Sequence, residues 1–253
     1  MLIGLCMDIN NSLVSRFYSQ IILEDFSVQD QEELLKKEIT IIGCGGLGSP
    51  VSVYLAASGI GKINLVDPDK VEIRNLHRQV FFQEQDVGRH KVDVLQDHIE
   101  KLNSHCKITV FKQKSWEIDF DKYKSEMVLD CSDNFRTKYS LNEACVNNNI
   151  SFCSASVSGS DGQIALFTNK LEHHCCYNCF FPEDGDVDAN DCAESGVLGP
   201  TVSLIASIQS LITLKHLLNK FKDAETMFRV SSKDLTIKKN KILPNTSCRL
   251  NKL

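Results

Sequence analysis

The sequence predicts an α/β fold with a mostly parallel sheet, flanking helices and a β-rich C-terminal extension. Short apolar, β-branched segments alternate with helical segments between residues 37 and 157, which is the pattern of strand–helix–strand units. Strand-like segments then dominate the end of the chain, at 163–168, 227–230 and 235–242. The last two are expected to form a hairpin. A chain of 253 residues with 42% hydrophobic residues can bury one large core.

Apolar periodicity places the individual elements along the chain. The predicted strands cover residues 39–42, 62–66, 108–111, 127–131 and 150–157. The predicted helices cover residues 88–102, 137–146 and 199–220, besides the one that follows the first strand. One side of the last helix carries Leu204, Ile208, Leu211, Leu214 and Leu218. We divide the single predicted domain into N-terminal helices (13–36), a nucleotide-binding core (37–170), a cysteine-containing crossover loop (171–198) and a C-terminal helix and hairpin (199–253).

Charge and composition narrow the possible classes of protein. The net charge of −5 argues against a nucleic-acid partner held by phosphate neutralisation. Eleven scattered cysteines indicate reduced thiols, with one cluster reserved for metal or sulfur chemistry. The N-terminus lacks the apolar region of a signal peptide, and no apolar run is long enough to span a bilayer. We therefore expect a cytoplasmic protein without a membrane partner.

Residues 39–50 read I-T-I-I-G-C-G-G-L-G-S-P, a strand, a tight turn and a helix start. Gly43, Gly45 and Gly48 fit the pattern G-x-G-x-x-G, with Gly46 as a fourth glycine. Glycines allow backbone N–H groups to approach a phosphate, and the helix N-terminus favours negative charge. Asp67 ends the next strand 19 residues after Gly48, where an acid that binds a ribose is expected. This pattern predicts a Rossmann-like nucleotide site.

Several cations follow this predicted nucleotide site. Arg74 and Arg78 lie in the segment R-N-L-H-R-Q, and Lys91 opens the next helix. A triphosphate needs such side chains, because charge develops on the pyrophosphate that leaves. A solvated basic surface is the alternative interpretation of each residue. Their concentration beside Asp67 favours the functional one.

A second acidic motif, D-C-S-D-N, begins at the end of the strand at 127–131. The carboxyl ends of parallel strands face the ligand crevice of an open sheet. Asp130 and Asp133, with Asn134, therefore suit Mg²⁺ on a nucleotide phosphate. Asp133 or Asn134 could also cap the following helix, and both roles are compatible.

Taken together and in this order, the motifs resemble the ThiF/MoeB family, relatives of the ubiquitin-activating enzymes. They are G-x-G-G-L-G-S-P, D-P-D, N-L-H-R-Q, G-R-H-K, D-C-S-D-N, C-x-x-C and G-V-L-G-P, and the resemblance extends from about residue 16 to residue 248. Members use ATP and Mg²⁺ to adenylylate the C-terminal glycine of a ubiquitin-like sulfur carrier protein, ThiS or MoaD, which ends in Gly-Gly. The resemblance implies this nucleotidyltransferase activity here, in thiamine or molybdenum cofactor biosynthesis.

The resemblance also implies the roles of individual residues. Catalytic roles fall to Arg78, Lys91, Asp133 and Cys192. The residues implied to bind ATP or its magnesium ion are Gly43, Gly45, Gly46, Gly48, Asp67, Asp69, Arg74, Asn75, Arg78, Gln79, Lys91, Asp133 and Asn134. The implied partners are the carrier, a second copy of the chain in a homodimer, and a cysteine desulfurase as the sulfur donor. A fused sulfurtransferase domain is not expected.

Two positions depart from the family pattern. Zinc ligands are implied at Cys176, Cys179 and Cys248, but Asn251 stands where members carry a fourth cysteine. His173, His174 or Cys175 could take the fourth place, or the site holds no zinc. The N-terminal signature reads Arg16-Phe17-Tyr18-Ser19-Gln20, with Ser19 in place of the arginine that reaches the partner subunit's ATP. Either Arg16 or Arg74 compensates, or adenylylation is slow.

Three classes of function therefore remain after the sequence has been considered. The leading one is adenylylation of ThiS, with MoaD as the alternative carrier. The second is an NAD-dependent oxidoreductase with the same glycine loop, which leaves Arg78, Lys91 and Asp133 without a purpose. The third is a scaffold that binds the carrier without catalysis, which the changes at Ser19 and Asn251 favour.

Replacing Cys192 by serine should distinguish carrier adenylylation from sulfur transfer. Cys192 corresponds to a cysteine that can link to the carrier in ThiF-type members, although an exposed thiol without a role is the alternative. We expect Cys192→Ser to preserve carrier adenylylation and to impair sulfur transfer, because the hydroxyl is a much weaker nucleophile than a thiolate. Pyrophosphate exchange measures the first step, and thiocarboxylate formation measures the second. Unchanged thiocarboxylate formation would contradict the proposed role.

Overall fold

The computed structural model describes residues 11–118, 125–168, 175–183 and 196–250, without the side chains of residues 11 and 12. Within these ranges, eight strands form one sheet in the order β3-β2-β1-β4-β5-β6-β7-β8. The strands are β1 (Glu38–Ile42), β2 (Lys62–Val66), β3 (Lys107–Phe111), β4 (Met127–Asp130), β5 (Ser151–Ser158), β6 (Asp161–Phe167), β7 (Thr226–Ser231) and β8 (Thr236–Lys241). Strands β1 to β5 pair in parallel, and β6 to β8 are antiparallel. The predicted fold class is confirmed.

Helices cover both faces of this sheet. They are α1 (Asn11–Ile21), α2 (Val28–Lys36), α3 (Gly48–Ala57), α4 (Lys91–Leu102), α5 (Phe135–Asn147), α6 (Tyr177–Phe180) and α7 (Gly199–Leu217). Helices α3, α4 and α7 contribute to one apolar core, which includes Ile39 and Leu65 from the strands. Helices α5 and α6 contribute to a second core with Val66 and Val128. Because both faces are covered, β4 is buried throughout, and β1 and β2 are buried at every residue after the first.

The strand order defines where a ligand can bind. Strand β1 has β2 on one side and β4 on the other. From β1 the chain runs outward through β2 and β3, then returns to β4 on the other side of β1 and runs outward through β5. The loops that follow β1 and β4 therefore separate and leave a crevice at the carboxyl ends of these two strands. The glycine turn follows β1 and the D-C-S-D-N segment follows β4, so both predicted motifs lie at this crevice.

The boundaries of three helices differ from the sequence-based prediction: α5 spans Phe135–Asn147 rather than 137–146, α7 ends at Leu217 rather than at residue 220, and α4 begins later than expected. Helix α4 begins at Lys91 rather than Gly88. Gly88 has a φ of +90°, and His90 is extended and pairs with Lys70. The backbone thus makes a turn before it becomes helical, which the apolar spacing could not reveal.

The leucines of α7 do not all face the sheet, as they would in a simple amphipathic helix. The side that packs on the sheet carries Val202, Ile205 and Gln209, all buried. Leu204 and Leu211 instead face outward and are 37% and 56% exposed. Helix α7 packs against β5, β6 and α3. Among the described residues, no helix has the length and apolar character needed to cross a membrane.

Candidate active site

The glycine turn packs directly against the chain that leaves β4. The backbone N–H of Gly43 donates to Val66, and that of Cys131 donates to Ile42, so both turns stay in the sheet's hydrogen-bond network. A Cβ at Gly43, whose φ is +86°, would lie 2.9 Å from the carbonyl oxygen of Cys131. A Cβ at Gly48 would lie 1.7 Å from the carbonyl oxygen of Gly43. Only glycine fits at these two positions.

Gly45 and Gly46 are also closely packed, and they lie beside other predicted site residues. A Cβ at Gly45 would lie 3.3 Å from Gln79 Nε2, and a Cβ at Gly46 would lie 3.0 Å from Val202 Cγ1 and 3.7 Å from Arg78 Cγ. Among the residues that the structure describes, no side chain caps the start of α3. Backbone N–H groups there are available to an anion, which the helix dipole also favours.

Asp67 holds the glycine turn from the end of β2. Its Oδ2 accepts a hydrogen bond from the Cys44 N–H at 2.7 Å, and its Oδ1 accepts one from the Asp69 N–H at 2.7 Å. The carboxylate is buried, and burial raises its pKa despite the Lys91 ammonium at 4.0 Å. Each carboxylate oxygen has a second lone pair, so Asp67 could still accept a ribose hydroxyl.

Lys91 is a buried cation next to this turn. Its Nζ donates to Asp69 Oδ2 at 2.9 Å. Burial lowers the pKa of Lys91, but the charge of Asp67 and the hydrogen bond to Asp69 outweigh it, and the net shift is upward. The ammonium therefore keeps its charge inside the protein.

The two predicted arginines of the segment after β2 have different surroundings. Arg78 donates from Nη2 to Asn75 Oδ1 at 3.0 Å, and its stem lies beside Gly46. Arg74 is exposed and pairs with Glu72 on the protein surface. Gln79 is buried, and its Oε1 has no hydrogen-bond partner among the described residues. A buried acceptor without a donor is costly, so a ligand donor next to the glycine turn would satisfy it.

The D-C-S-D-N segment contains one cap and one free carboxylate. Asn134 Oδ1 accepts the Thr137 N–H at 2.8 Å and caps α5. Asp133 is exposed and makes no hydrogen bond or ion pair with the residues the structure describes. Of the two candidate caps, Asn134 is the one used. The Asp133 carboxylate is left available to a cation at the crevice.

Asp130 has a different role from the one its position suggested. It is fully buried, and its Oδ2 pairs with Lys138 Nζ at 2.7 Å. Gln209 Nε2 donates to the Asp130 carbonyl oxygen at 3.2 Å. Sequence reasoning missed Lys138, which lies eight residues after Asp130 in α5, and Gln209, which lies 79 residues after it in α7, because no local pattern marks either residue. Asp130 is thus enclosed by protein groups and does not face the crevice.

Three thiols meet away from the glycine turn. The Sγ atom of Cys176 lies 3.9 Å from that of Cys179 and 3.6 Å from that of Cys248, and all three lie within 4.8 Å of one another. Cys175 is not part of this group, because its Sγ donates to the Ile242 carbonyl oxygen at 3.3 Å. The arrangement can supply three thiolate ligands to a tetrahedral metal ion.

Some predicted residues lie outside the described ranges. They are Cys192, His173, His174 and Asn251.

The two residues that bear on the N-terminal signature are described. Arg16 donates to the Leu102 carbonyl oxygen at the end of α4, and Ser19 is exposed. Since α4 runs away from the carboxyl edge of the sheet, Arg16 does not reach the crevice of its own chain.

The glycine turn at the strand switch point, with cations on one side and a free carboxylate on the other, defines a Rossmann-type α/β protein with a site suited to a nucleotide phosphate. More narrowly, residues 17–250 match the family model described as "ThiF family", and the chain belongs to the ThiF family. The resemblance predicted from the motifs is confirmed.

Two curated relatives are similar to this chain in sequence, and one solved structure is similar to it in fold. The sulfur carrier protein ThiS adenylyltransferase of Escherichia coli (strain K12) is 37% identical over 204 residues, 80% of this chain and 80% of the relative. The adenylyltransferase and sulfurtransferase MOCS3 of Caenorhabditis briggsae is 37% identical over 214 residues, 82% of this chain. The chain spans 52% of that relative's length. E. coli MccB with MccA-N7isoASN has a TM-score of 0.82 over 95% of this chain and 75% of that chain, and at 23% identity it shows the fold alone.

Both sequence relatives are named as adenylyltransferases. The prediction that the chain is an adenylyl-transferring enzyme is confirmed at this level.

Asp67 can be tested for its part in holding the turn. An amide at this position would present one N–H₂ group to a buried N–H donor, either that of Cys44 or that of Asp69. We expect Asp67→Asn to lower the free energy of unfolding in urea by about 2 kcal/mol, the usual cost of an unsatisfied buried group. In Asp69→Asn, whose side chain is 62% exposed, the loss should stay below about 1 kcal/mol. Equal losses in the two variants would show that Asp67 does not hold the turn.

Proposed function

We propose that the protein uses ATP and Mg²⁺ to adenylylate the C-terminal glycine of a ubiquitin-like sulfur carrier protein. The carrier carboxylate attacks the α-phosphorus of ATP, the bond from that phosphorus to the bridging oxygen breaks, and pyrophosphate leaves. The observation that carries this proposal is the convergence on one glycine turn of Arg78, the buried Lys91 cation and the unsatisfied Gln79. A dinucleotide cofactor that is not cleaved would not require the two cations, Arg78 and Lys91.

Each site residue has a part in this reaction. Gly43, Gly45, Gly46 and Gly48 give the phosphates access to backbone N–H groups, and Asp67 accepts from the ribose. Arg78, positioned by Asn75, and Lys91 offset the charge that develops on pyrophosphate. No side-chain nucleophile is needed for adenylylation, because orientation and electrostatic stabilisation supply the rate.

Magnesium is assigned to Asp133. Its exposed carboxylate lies at the carboxyl edge of the sheet, across the crevice from the cations. An oxygen ligand of this kind suits Mg²⁺, which also binds phosphate oxygens. Asn134 is occupied as the α5 cap, so its amide contributes to the shape of this loop.

The carrier we favour is ThiS, which would place the enzyme in thiamine thiazole biosynthesis. The ThiS adenylyltransferase of E. coli, of which the chain covers 80%, supports this choice. MoaD, in molybdopterin biosynthesis, is the alternative. A cysteine desulfurase would then supply the sulfur. Cys192, on the crossover loop, would form the link to the carrier.

A homodimer is part of the proposal. Tyr54 of α3 and Leu204 and Leu211 of α7 leave apolar surface exposed on two helices that pack together. Burial of such surface against a second copy is favourable. With Ser19 in place of the family arginine, Arg16 is the remaining cation of the N-terminal signature that a partner subunit could offer.

Pyrophosphate exchange tests the proposed reaction. Labelled pyrophosphate should enter ATP when the protein is mixed with one carrier, and ThiS and MoaD are added in separate reactions. We expect exchange with ThiS. Exchange with MoaD alone would move the enzyme to the other pathway, and exchange with neither would contradict the proposal and favour a scaffold.

Two arginine variants test the assignment of charge. Arg78→Met removes the guanidinium beside Gly46 and should lower the exchange rate by about a hundredfold, in the range of a lost transition-state donor. Arg74→Met is the matched control, since Arg74 is exposed and paired with Glu72, and its rate should change less than about threefold. A larger loss in Arg74→Met than in Arg78→Met would reverse the assignment.

We also propose that Cys176, Cys179 and Cys248 bind Zn²⁺ with an incomplete protein ligand set. With three thiolates, zinc should be lost to a chelator faster than from the variant Asn251→Cys, which restores a fourth thiol. Metal analysis by mass spectrometry after chelator treatment measures the retained zinc. Cys175→Ser is the matched control, because that thiol is bonded to Ile242 and outside the cluster. Full retention of zinc by the unmodified protein would contradict an incomplete site.

A further inference from the structure

A buried ion pair lies directly beneath the loop that carries Asp133. Asp130 Oδ2 accepts from Lys138 Nζ at 2.7 Å and from Ser154 Oγ at 2.6 Å. Asp130 Oδ1 accepts from the Ser132 N–H at 3.0 Å and from Ser132 Oγ. Lys138 also donates to the Ala155 carbonyl oxygen at 3.0 Å. Asp130 and Lys138 are 0% and 3% exposed, so this is a fully enclosed network.

Such a pair is not explained by stability alone. The cost of removing two charges from water is comparable to their attraction, and apolar residues of similar size are often equally stable. A network in which every hydrogen bond is satisfied does, however, fix one geometry of the groups around it. Here the groups it fixes include the backbone of Ser132, the residue immediately before Asp133.

Gln209 holds Asp130 by its backbone, in addition to the bonds that hold the Asp130 side chain. Gln209 of α7 donates from Nε2 to the Asp130 carbonyl oxygen at 3.2 Å and to the Cys153 carbonyl oxygen at 3.1 Å. Its Oε1 accepts from Cys131 Sγ at 3.4 Å. The side chain and the carbonyl of Asp130 are therefore both held, by α5, β5 and α7.

The glycine turn limits where this loop can go. The Cys131 carbonyl oxygen lies against Gly43, at the place where a Cβ would collide. A shift of the segment from Asp130 to Ser132 would therefore disturb the glycine turn or move Asp133. Asp130, Lys138, Ser154 and Gln209 are all buried, so they act on a ligand only through this loop.

We infer that Lys138, Ser154 and Gln209 are positioning residues, which hold Asp130 and the Ser132 backbone so that the Asp133 carboxylate meets the magnesium ion of the nucleotide. The inference rests on the proposed function, because it requires Asp133 to be the magnesium ligand. It predicts that these three residues affect the requirement for Mg²⁺ rather than the binding of the nucleotide as such.

The test measures ATP binding to the full chain by calorimetry at a series of Mg²⁺ concentrations, without a carrier. Ser154→Ala removes one bond to Asp130 and keeps the packing. Lys138→Met removes the charge, and Lys138→Arg keeps it. Ser210→Ala is the matched control, because among the described residues that buried hydroxyl donates only within α7, to the Ala206 carbonyl oxygen.

We expect Ser154→Ala and Lys138→Met to raise the Mg²⁺ concentration for half-maximal ATP binding by about tenfold, as outer-sphere changes at metal sites do. ATP binding in the presence of EDTA should be the same as in Ser210→Ala, and Lys138→Arg should restore most of the Mg²⁺ response. If Lys138→Met does not fold, Ser154→Ala carries the test alone.

Two results would overturn the inference. One is the same Mg²⁺ requirement in Ser154→Ala and Ser210→Ala, and the other is ATP binding by the unmodified protein that does not depend on Mg²⁺. The proposed function is judged separately, by pyrophosphate exchange of the unmodified protein with ThiS and MoaD. A shifted Mg²⁺ requirement without exchange would retain the positioning role and reject the carrier reaction.

Discussion

The close contact between the glycine turn and the end of β4 is the constraint on which the site depends. Gly43 and Cys131 meet at a distance that excludes a side chain, and Gly48 begins α3 directly over the Gly43 carbonyl. This contact sets the start of α3, and hence the direction of its N–H groups. It also sets the path of the segment that ends in Asp133. A crevice for a nucleotide thus results from backbone packing before any charged side chain is considered.

Two buried carboxylates then stabilise the two sides of this crevice in similar ways. Asp67, at the end of β2, accepts backbone N–H groups of the glycine turn and of its own loop, with Lys91 nearby. Asp130, at the end of β4, accepts from Lys138 and Ser132. Each carboxylate holds a loop, and the groups left toward the crevice are the ones that can contact a ligand. Buried hydrogen-bonded charges are suited to this task, because they specify geometry.

Much of the fold could be read from local patterns. The apolar segments placed every strand of the parallel part, and the glycine spacing placed the turn, because both depend on backbone preferences of neighbouring residues. Distinctions among site candidates could not be read in this way. Arg74 and Arg78 look equivalent in sequence, yet one pairs with Glu72 at the surface and the other lies beside Gly46. Asp130 and Asp133 likewise differ only after α5 and α7 have packed.

By itself the sequence determined the fold class, the position of the glycine turn, the membership of a family and the set of residues from which the site is built. The tertiary structure decided which of these residues come together, which are enclosed and which remain free. It brought Cys248 to Cys176 and Gln209 to Asp130, across 72 and 79 residues of chain. The physical reason is that turns and strands follow from short-range backbone sterics, whereas contacts between distant side chains are set by the packing of whole helices on the sheet.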